Sequence, residues 1–154
     1  MNPDCLFCKI VAKTIPAKIV YENDHAVAFL DVMPRAQGHT VVIPKYHEPT
    51  LVALPAEEVG PLFLAVKKTA ELLMAGLHPD GITIGINQGR ASGQVVDHLH
   101  VHLMPRWQND GGGSVQSVVS PSAHSASSER DDMPKGSLDD VLGKILGGTK
   151  SETV

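Results

Sequence analysis

Two periodicities divide the chain. Over residues 55–77 the apolar positions Val59, Leu62, Phe63, Val66, Ala70 and Leu73 recur every three or four residues, the spacing that lines one face of an α-helix. Glu57 and Glu58 fall in its first turn, where carboxylates complement the helix dipole, and Gly76 and Pro79 mark its end. The pattern predicts one long helix. Elsewhere the apolar runs are short and partly β-branched: residues 26–31 (AVAFLD), 39–44 (HTVVIP), 81–87 (GITIGIN) and 95–104, which predict strands. Met33-Pro34 and Gly38 punctuate the first pair, and Gly89 and Gly93 lie in the loop before the last run. Ile82, Ile84 and Ile86 would share one strand face. Together these elements predict an α+β fold with a largely antiparallel sheet and one long helix.

Composition changes abruptly after Arg106. Nine of the ten serines and seven of the fourteen glycines lie beyond it, and every Phe, Tyr and Trp lies at or before Trp107. A stretch so poor in apolar residues cannot offset the entropy of ordering itself. The expected organisation is therefore a domain over residues 1–107 and a disordered, flexible Gly/Ser-rich tail over 108–154. Leu138, Val141, Leu142, Ile145 and Leu146 leave room in that tail for a short amphipathic helix near 137–147.

Charge narrows the function. Thirteen basic residues face seventeen acidic ones, a net charge of −4, which argues against binding to a nucleic acid duplex, where a Lys and Arg surplus holds the phosphates. No apolar run approaches the roughly 20 residues that cross a bilayer, so no membrane partner is expected. The N-terminus MNPDCLFCKI lacks the basic and apolar regions of a signal peptide. A cytoplasmic location follows as the expectation.

The strongest chemical signal is His98-Leu99-His100-Val101-His102. On a strand the three imidazoles would share one face while Leu99, Val101 and Leu103 pack on the core from the other. Three readings fit: a solvated polar face, a metal site, since His-x-His chelates zinc, or nucleophilic catalysis in which one imidazole attacks phosphorus. The preceding loop adds Asn87 and Gln94 as amide donors and Gly93, where backbone can approach a ligand closely. Cys5 and Cys8, three apart, suit a redox pair, two plain thiols or half of a zinc site.

The motif HLHVHLM resembles that of the histidine-triad (HIT) superfamily, most closely its Hint-type branch of purine nucleotide-binding hydrolases. Further segments resemble the family in the family's order: Cys5-Leu6-Phe7-Cys8-Lys9-Ile10, Ile15-Pro16-Ala17-Lys18, Phe29-Leu30-Asp31, Gly38-His39, Val42-Ile43-Pro44-Lys45 and Gly93-Gln94. The resemblance spans residues 5–106. It implies a HIT-like fold, an α+β domain whose largely antiparallel sheet has about five strands, with one long helix and a shorter N-terminal helix, and hydrolysis of nucleotide conjugates through a nucleotidyl-histidine. His100 would be the nucleophile, His102 would contact phosphate and assist the leaving group, and His39 would support them. Asn87, Gly93, Gln94 and Val95 would hold the phosphate, Asp31 the ribose, and Leu6, Phe7, Ile10, Phe29, Leu30 and Val32 the base. Val95 departs from the pattern, because many Hint-type members carry a Ser or Thr hydroxyl there. Bacterial relatives pair a Cys-x-x-Cys with two histidines, so the resemblance implies structural zinc on Cys5, Cys8, His47 and His98.

The implied partners are a purine nucleotide such as AMP or its conjugate and a second copy of the chain as a homodimer; no organic cofactor is expected. The alternatives are dinucleoside polyphosphate hydrolysis, a zinc-structured nucleotide-binding or interaction module with little catalysis, and a catalytic zinc hydrolase ligated by His98, His100 and His102.

Overall fold

The computed structural model describes residues 1–118; the helix expected near 137–147 lies outside the described residues. The elements in chain order are α1 (Leu6–Val11), β1 (Ile19–Glu22), β2 (Ala26–Leu30), β3 (Thr40–Pro44), α2 (Ala56–Leu77), β4 (Gly81–Gly85) and β5 (Val101–Arg106), with a 3₁₀ turn at Arg90–Ser92. The five strands form one sheet in the order β1-β2-β3-β5-β4, and every neighbouring pair is antiparallel. This is the expected α+β architecture.

Both faces of the sheet are covered, which explains why β2 and β3 read as continuous apolar runs rather than as alternation. Ala26, Ala28, Val42, Val101 and Leu103 point to α2 and pack with Leu62, Ala65, Val66 and Leu73. Val27, Phe29, Val41 and Ile43 point the other way and pack with Cys5, Phe7, Cys8 and Ile10 of the α1 segment. Side chains alternate along a strand, so these assignments fix the polar positions too. His39 falls on the α1 side with Val41 and Ile43. His102, which is in register with Val41, falls on the same side.

Three sequence expectations change. The last run is not a strand from residue 95: β5 begins at Val101. Residues 94–100 make other bonds instead. His98 N–H donates to the Val96 carbonyl at 2.8 Å, bending the chain, and Leu99 N–H donates to the Glu48 carbonyl at 2.6 Å. The helix ends at Leu77, within the expected span, but its cap is His78 rather than Gly76: His78 sits in the left-handed region at φ 48° and donates its N–H to the Met74 carbonyl. Phe63 is 41% exposed, because the buried stripe runs through Leu62, Val66, Thr69 and Leu73, and one residue along a helix is a 100° rotation. Thr69 is tolerated in that stripe because its hydroxyl donates to the Ala65 carbonyl at 2.8 Å.

The chain past β5 is pinned for several residues. Arg106 pairs with Asp110 and donates to the Thr83 hydroxyl and the Gly113 carbonyl, while Gln108 N–H donates to Asp80.

Candidate active site and metal centre

The three histidines of the motif are not equivalent. His98 is fully buried and His100 nearly so, while His102 is half-buried at the start of β5. The expected single face is thus divided between two clusters that share the backbone of residues 98–102.

The first cluster contains His100, His102, His39 and Asp31. His100 Nδ1 lies 2.7 Å from the His98 carbonyl oxygen. A carbonyl only accepts, so Nδ1 carries the proton and Nε2 presents its lone pair. The tautomer of His39 follows in the same way. Arg35 N–H donates to His39 Nδ1 at 3.3 Å, which leaves the proton on Nε2. That Nε2–H donates to His102 Nδ1 at 3.0 Å, which leaves the proton of His102 on its own Nε2. The His100 and His102 rings stand edge to face, with centroids 5.0 Å apart. A lone pair and an N–H donor are therefore held side by side.

Burial keeps His102 and His39 neutral. It pushes His102 down to about 4, helped by His100 and His39, because a charged imidazole loses its hydration there. Burial also lowers His39, against the pull of Asp31, whose Oδ2 is 3.7 Å from His39 Nδ1. Asp31 Oδ1 is held by Met33 N–H at 2.8 Å.

The loop before the motif is braced by Gln94, which is 6% exposed. Its Oε1 accepts from Gly89 N–H at 2.7 Å, and its Nε2 donates to the Pro49 carbonyl at 2.7 Å and the Val96 carbonyl at 3.0 Å. Both amide protons are engaged, so the side chain acts on the loop. Gln88 adds a tie through Leu51 N–H. Gly93 has φ 92°, and a Cβ there would touch the Asn87 amide, so these two residues are adjacent. Val95 is 84% exposed.

The apolar residues assigned to the base divide into two sets. Phe7, Ile10 and Phe29 are buried together, whereas Leu6, Leu30 and Val32 are exposed. Phe7 has a contact that sequence reasoning missed: its ring lies edge-on to both His98 and His100, with centroids at 5.8 and 5.4 Å. A Phe between two cysteines carries no periodicity that would reveal this. The Arg35 N–H and the Pro44 carbonyl were likewise invisible, since backbone groups have no sequence signature.

The second cluster is Cys5, Cys8, His47 and His98, whose ligand atoms all lie within 4.8 Å of one another. Cys5 Sγ is 3.5 Å and Cys8 Sγ 3.7 Å from His98 Nδ1. Cys8 Sγ is 3.3 Å from His47 Nδ1, and the two Nδ1 atoms are 3.2 Å apart. Tetrahedral zinc with ordinary bond lengths places sulfur and nitrogen ligands roughly 3.3–3.8 Å apart, so the donor set fits. His98 Nε2 donates to the Pro44 carbonyl at 2.9 Å, which leaves Nδ1 unprotonated and facing the cluster, the usual outer bond of a ligating histidine. Burial moves His98 down to about 4 and raises the Cys8 thiol.

The HIT domain model matches residues 12–109. The chain belongs to the HIT domain family. A HIT-like protein of Methanocaldococcus jannaschii is 48% identical over 107 residues, covering 70% of this chain and 82% of that protein. An adenylylsulfatase of Arabidopsis thaliana is 36% identical over 110 residues, covering 71% of this chain and 56% of the relative. Among solved structures, a zinc-bound histidine triad family protein of Mycobacterium smegmatis superposes with a TM-score of 0.66 at 40% identity, covering 70% of this chain and 78% of that one.

Proposed function

We propose that this HIT protein is a nucleotidyl hydrolase or transferase that cleaves purine nucleoside phosphoramidates or related AMP conjugates. The observation that carries the reading is the 2.7 Å bond from His100 Nδ1 to the His98 carbonyl, which leaves Nε2 free as a neutral nucleophile. In this reading Nε2 attacks the α-phosphorus, the bond to the leaving group breaks, and His102 Nε2–H gives its proton to the departing atom. Water then cleaves the phosphorus–His100 bond and releases the nucleoside monophosphate. His39 keeps the proton of His102 on the outer nitrogen. Asn87, Gly93 and the backbone at Val95 take the phosphate, Gln94 shapes their loop, and Asp31 takes the ribose. Leu6, Phe7, Ile10, Phe29, Leu30 and Val32 border the base. The Arabidopsis relative favours a second leaving group, sulfate, on the same adenylyl centre.

Cys5, Cys8, His47 and His98 would hold zinc as a closed tetrahedral clamp, which supplies rigidity rather than a reaction step. The zinc-bound relative and the ligand spacing support this. A homodimer is supported by β4, which lies at the sheet edge. Beside it runs an apolar groove lined by Phe63, Ala70, Met74 and Ile84, and unpaired edges and apolar patches favour association. Among the described residues no helix is long and apolar enough to cross a membrane.

The test is AMP release from adenosine 5′-phosphoramidate and from adenylyl sulfate, by wild type and His100→Ala, each with and without a chelator. Wild type should release AMP, and His100→Ala should be slower by at least a thousandfold. Activity in the variant above a tenth of wild type would refute the nucleophile.

A further inference from the structure

We infer that Cys5 and Cys8 are a redox modification site: oxidation by a peroxide joins them as a disulfide, expels the metal and disarms His100. The inference rests on the metal centre and the nucleophile proposed above. Three features of one turn of chain carry it.

The two sulfurs are already close. Cys5 occupies the N-cap of α1 and Cys8 its first turn, both thiols are free, and their Sγ atoms belong to a set lying within 4.8 Å. A disulfide needs a sulfur separation of about 2.0 Å, which side-chain rotation across a Cys-x-x-Cys can reach. Both thiols are buried, but the chain immediately before them, residues 1–4, is exposed, so an oxidant as small as hydrogen peroxide has only that short segment to pass.

The same sulfurs face the residue that positions the nucleophile. Both contact His98 Nδ1, at 3.5 and 3.7 Å, and the His98 carbonyl holds the proton of His100. A disulfide is a neutral, poor ligand. Once it forms, the Nδ1 atoms of His47 and His98, 3.2 Å apart, face each other with no cation between them. One of the two can then carry a proton and donate it to the other, a bond that re-seats residue 98, whose carbonyl His100 depends on. Phe7 gives a second route. It sits between the two cysteines in sequence and packs edge-on against His98 and His100, so a shift of this turn moves the wall of the catalytic ring directly.

The step balances. Two sulfur–metal bonds break and one sulfur–sulfur bond forms. The thiolates together lose two electrons, the peroxide oxygen–oxygen bond takes them up as it breaks, and two hydroxide ions leave with the free metal ion. A thiol reductant and fresh metal reverse the change.

The experiment uses the full chain loaded with zinc and treated with stoichiometric hydrogen peroxide. Zinc release is read with a metallochromic dye, the disulfide by a two-hydrogen mass loss in the peptide carrying residues 5–8, the His100 ring by nitrogen-15 NMR, and AMP release in parallel. The expected result is about one zinc freed per chain, a changed His100 ring signal, and AMP release at least tenfold slower, all restored by dithiothreitol with zinc. Cys5→His keeps four donors but cannot form the bond, and should hold its zinc through the same treatment. If disulfide and zinc release occur while the His100 signal and AMP release stay constant, the switch is refuted and the metal centre stands. Retention of zinc by the wild type under peroxide also refutes it. A chain that never binds zinc overturns the metal reading itself.

Discussion

Gln94→Leu separates a residue that builds the loop from one that touches phosphate. The side chain is 94% buried by its 6% exposure, and leucine nearly matches its volume. The substitution deletes three hydrogen bonds, to Gly89 N–H, the Pro49 carbonyl and the Val96 carbonyl. Each contributes about 0.5–1.5 kcal/mol net. Water can reach Gly89 in its exposed loop, so the sum falls toward the lower half, roughly 2–3 kcal/mol. For a chain of this size that is a fall in melting temperature on the order of 6–10 °C. Gln94→Glu should be worse than Leu, because it keeps the acceptor for Gly89 but turns a carboxylate oxygen toward two carbonyls. The assay is urea unfolding with the slope held as a check on two-state behaviour, together with AMP titration calorimetry. Both variants should lose stability, Glu most, and bind AMP more weakly because the loop is loosened. If both keep wild-type stability while AMP binding collapses, Gln94 is a direct ligand and the bracing argument is wrong.

Two further predictions complete the set. In the zinc-free protein, stability should fall as pH drops from about 6.5 to about 4: the unfolded chain takes up protons near 6.5, while folded His98 and His102 resist until about 4. The depressed folded values mean that this stabilisation is fully present above 6.5. Linkage makes it about 3 kcal/mol for buried His98 and less for half-buried His102. A flat denaturation midpoint between pH 7 and 4.5 would refute the assignment. Gly38→Ala should cost about 2–3 kcal/mol, because φ is +75° and the new Cβ would collide with Leu77 Cδ1; a urea midpoint within error of wild type would show that the turn relaxes freely.

The sequence by itself determined the layers. Helical spacing over 55–77 and short apolar runs elsewhere suffice for an α+β domain, since local periodicity directly reports which face is buried. Alternation through Leu99, Val101 and Leu103 correctly placed those residues in the core, and the Cys5, Cys8, His47 and His98 set implied by family resemblance is found converged. The resemblance also implied that His98 joins the metal set while His100 and His102 serve the phosphate; what only the tertiary structure shows is how each ring is held. His98 turns away because the chain bends at Val96 and its ring is held between Pro44 and the cysteines, contacts that span up to 93 residues. The protons of His100 and His102 are placed by one carbonyl and one backbone N–H, from His98 and Arg35. Every residue but proline carries those same two groups, so only their arrangement in space, never their identity in sequence, says which imidazole is left with a free lone pair.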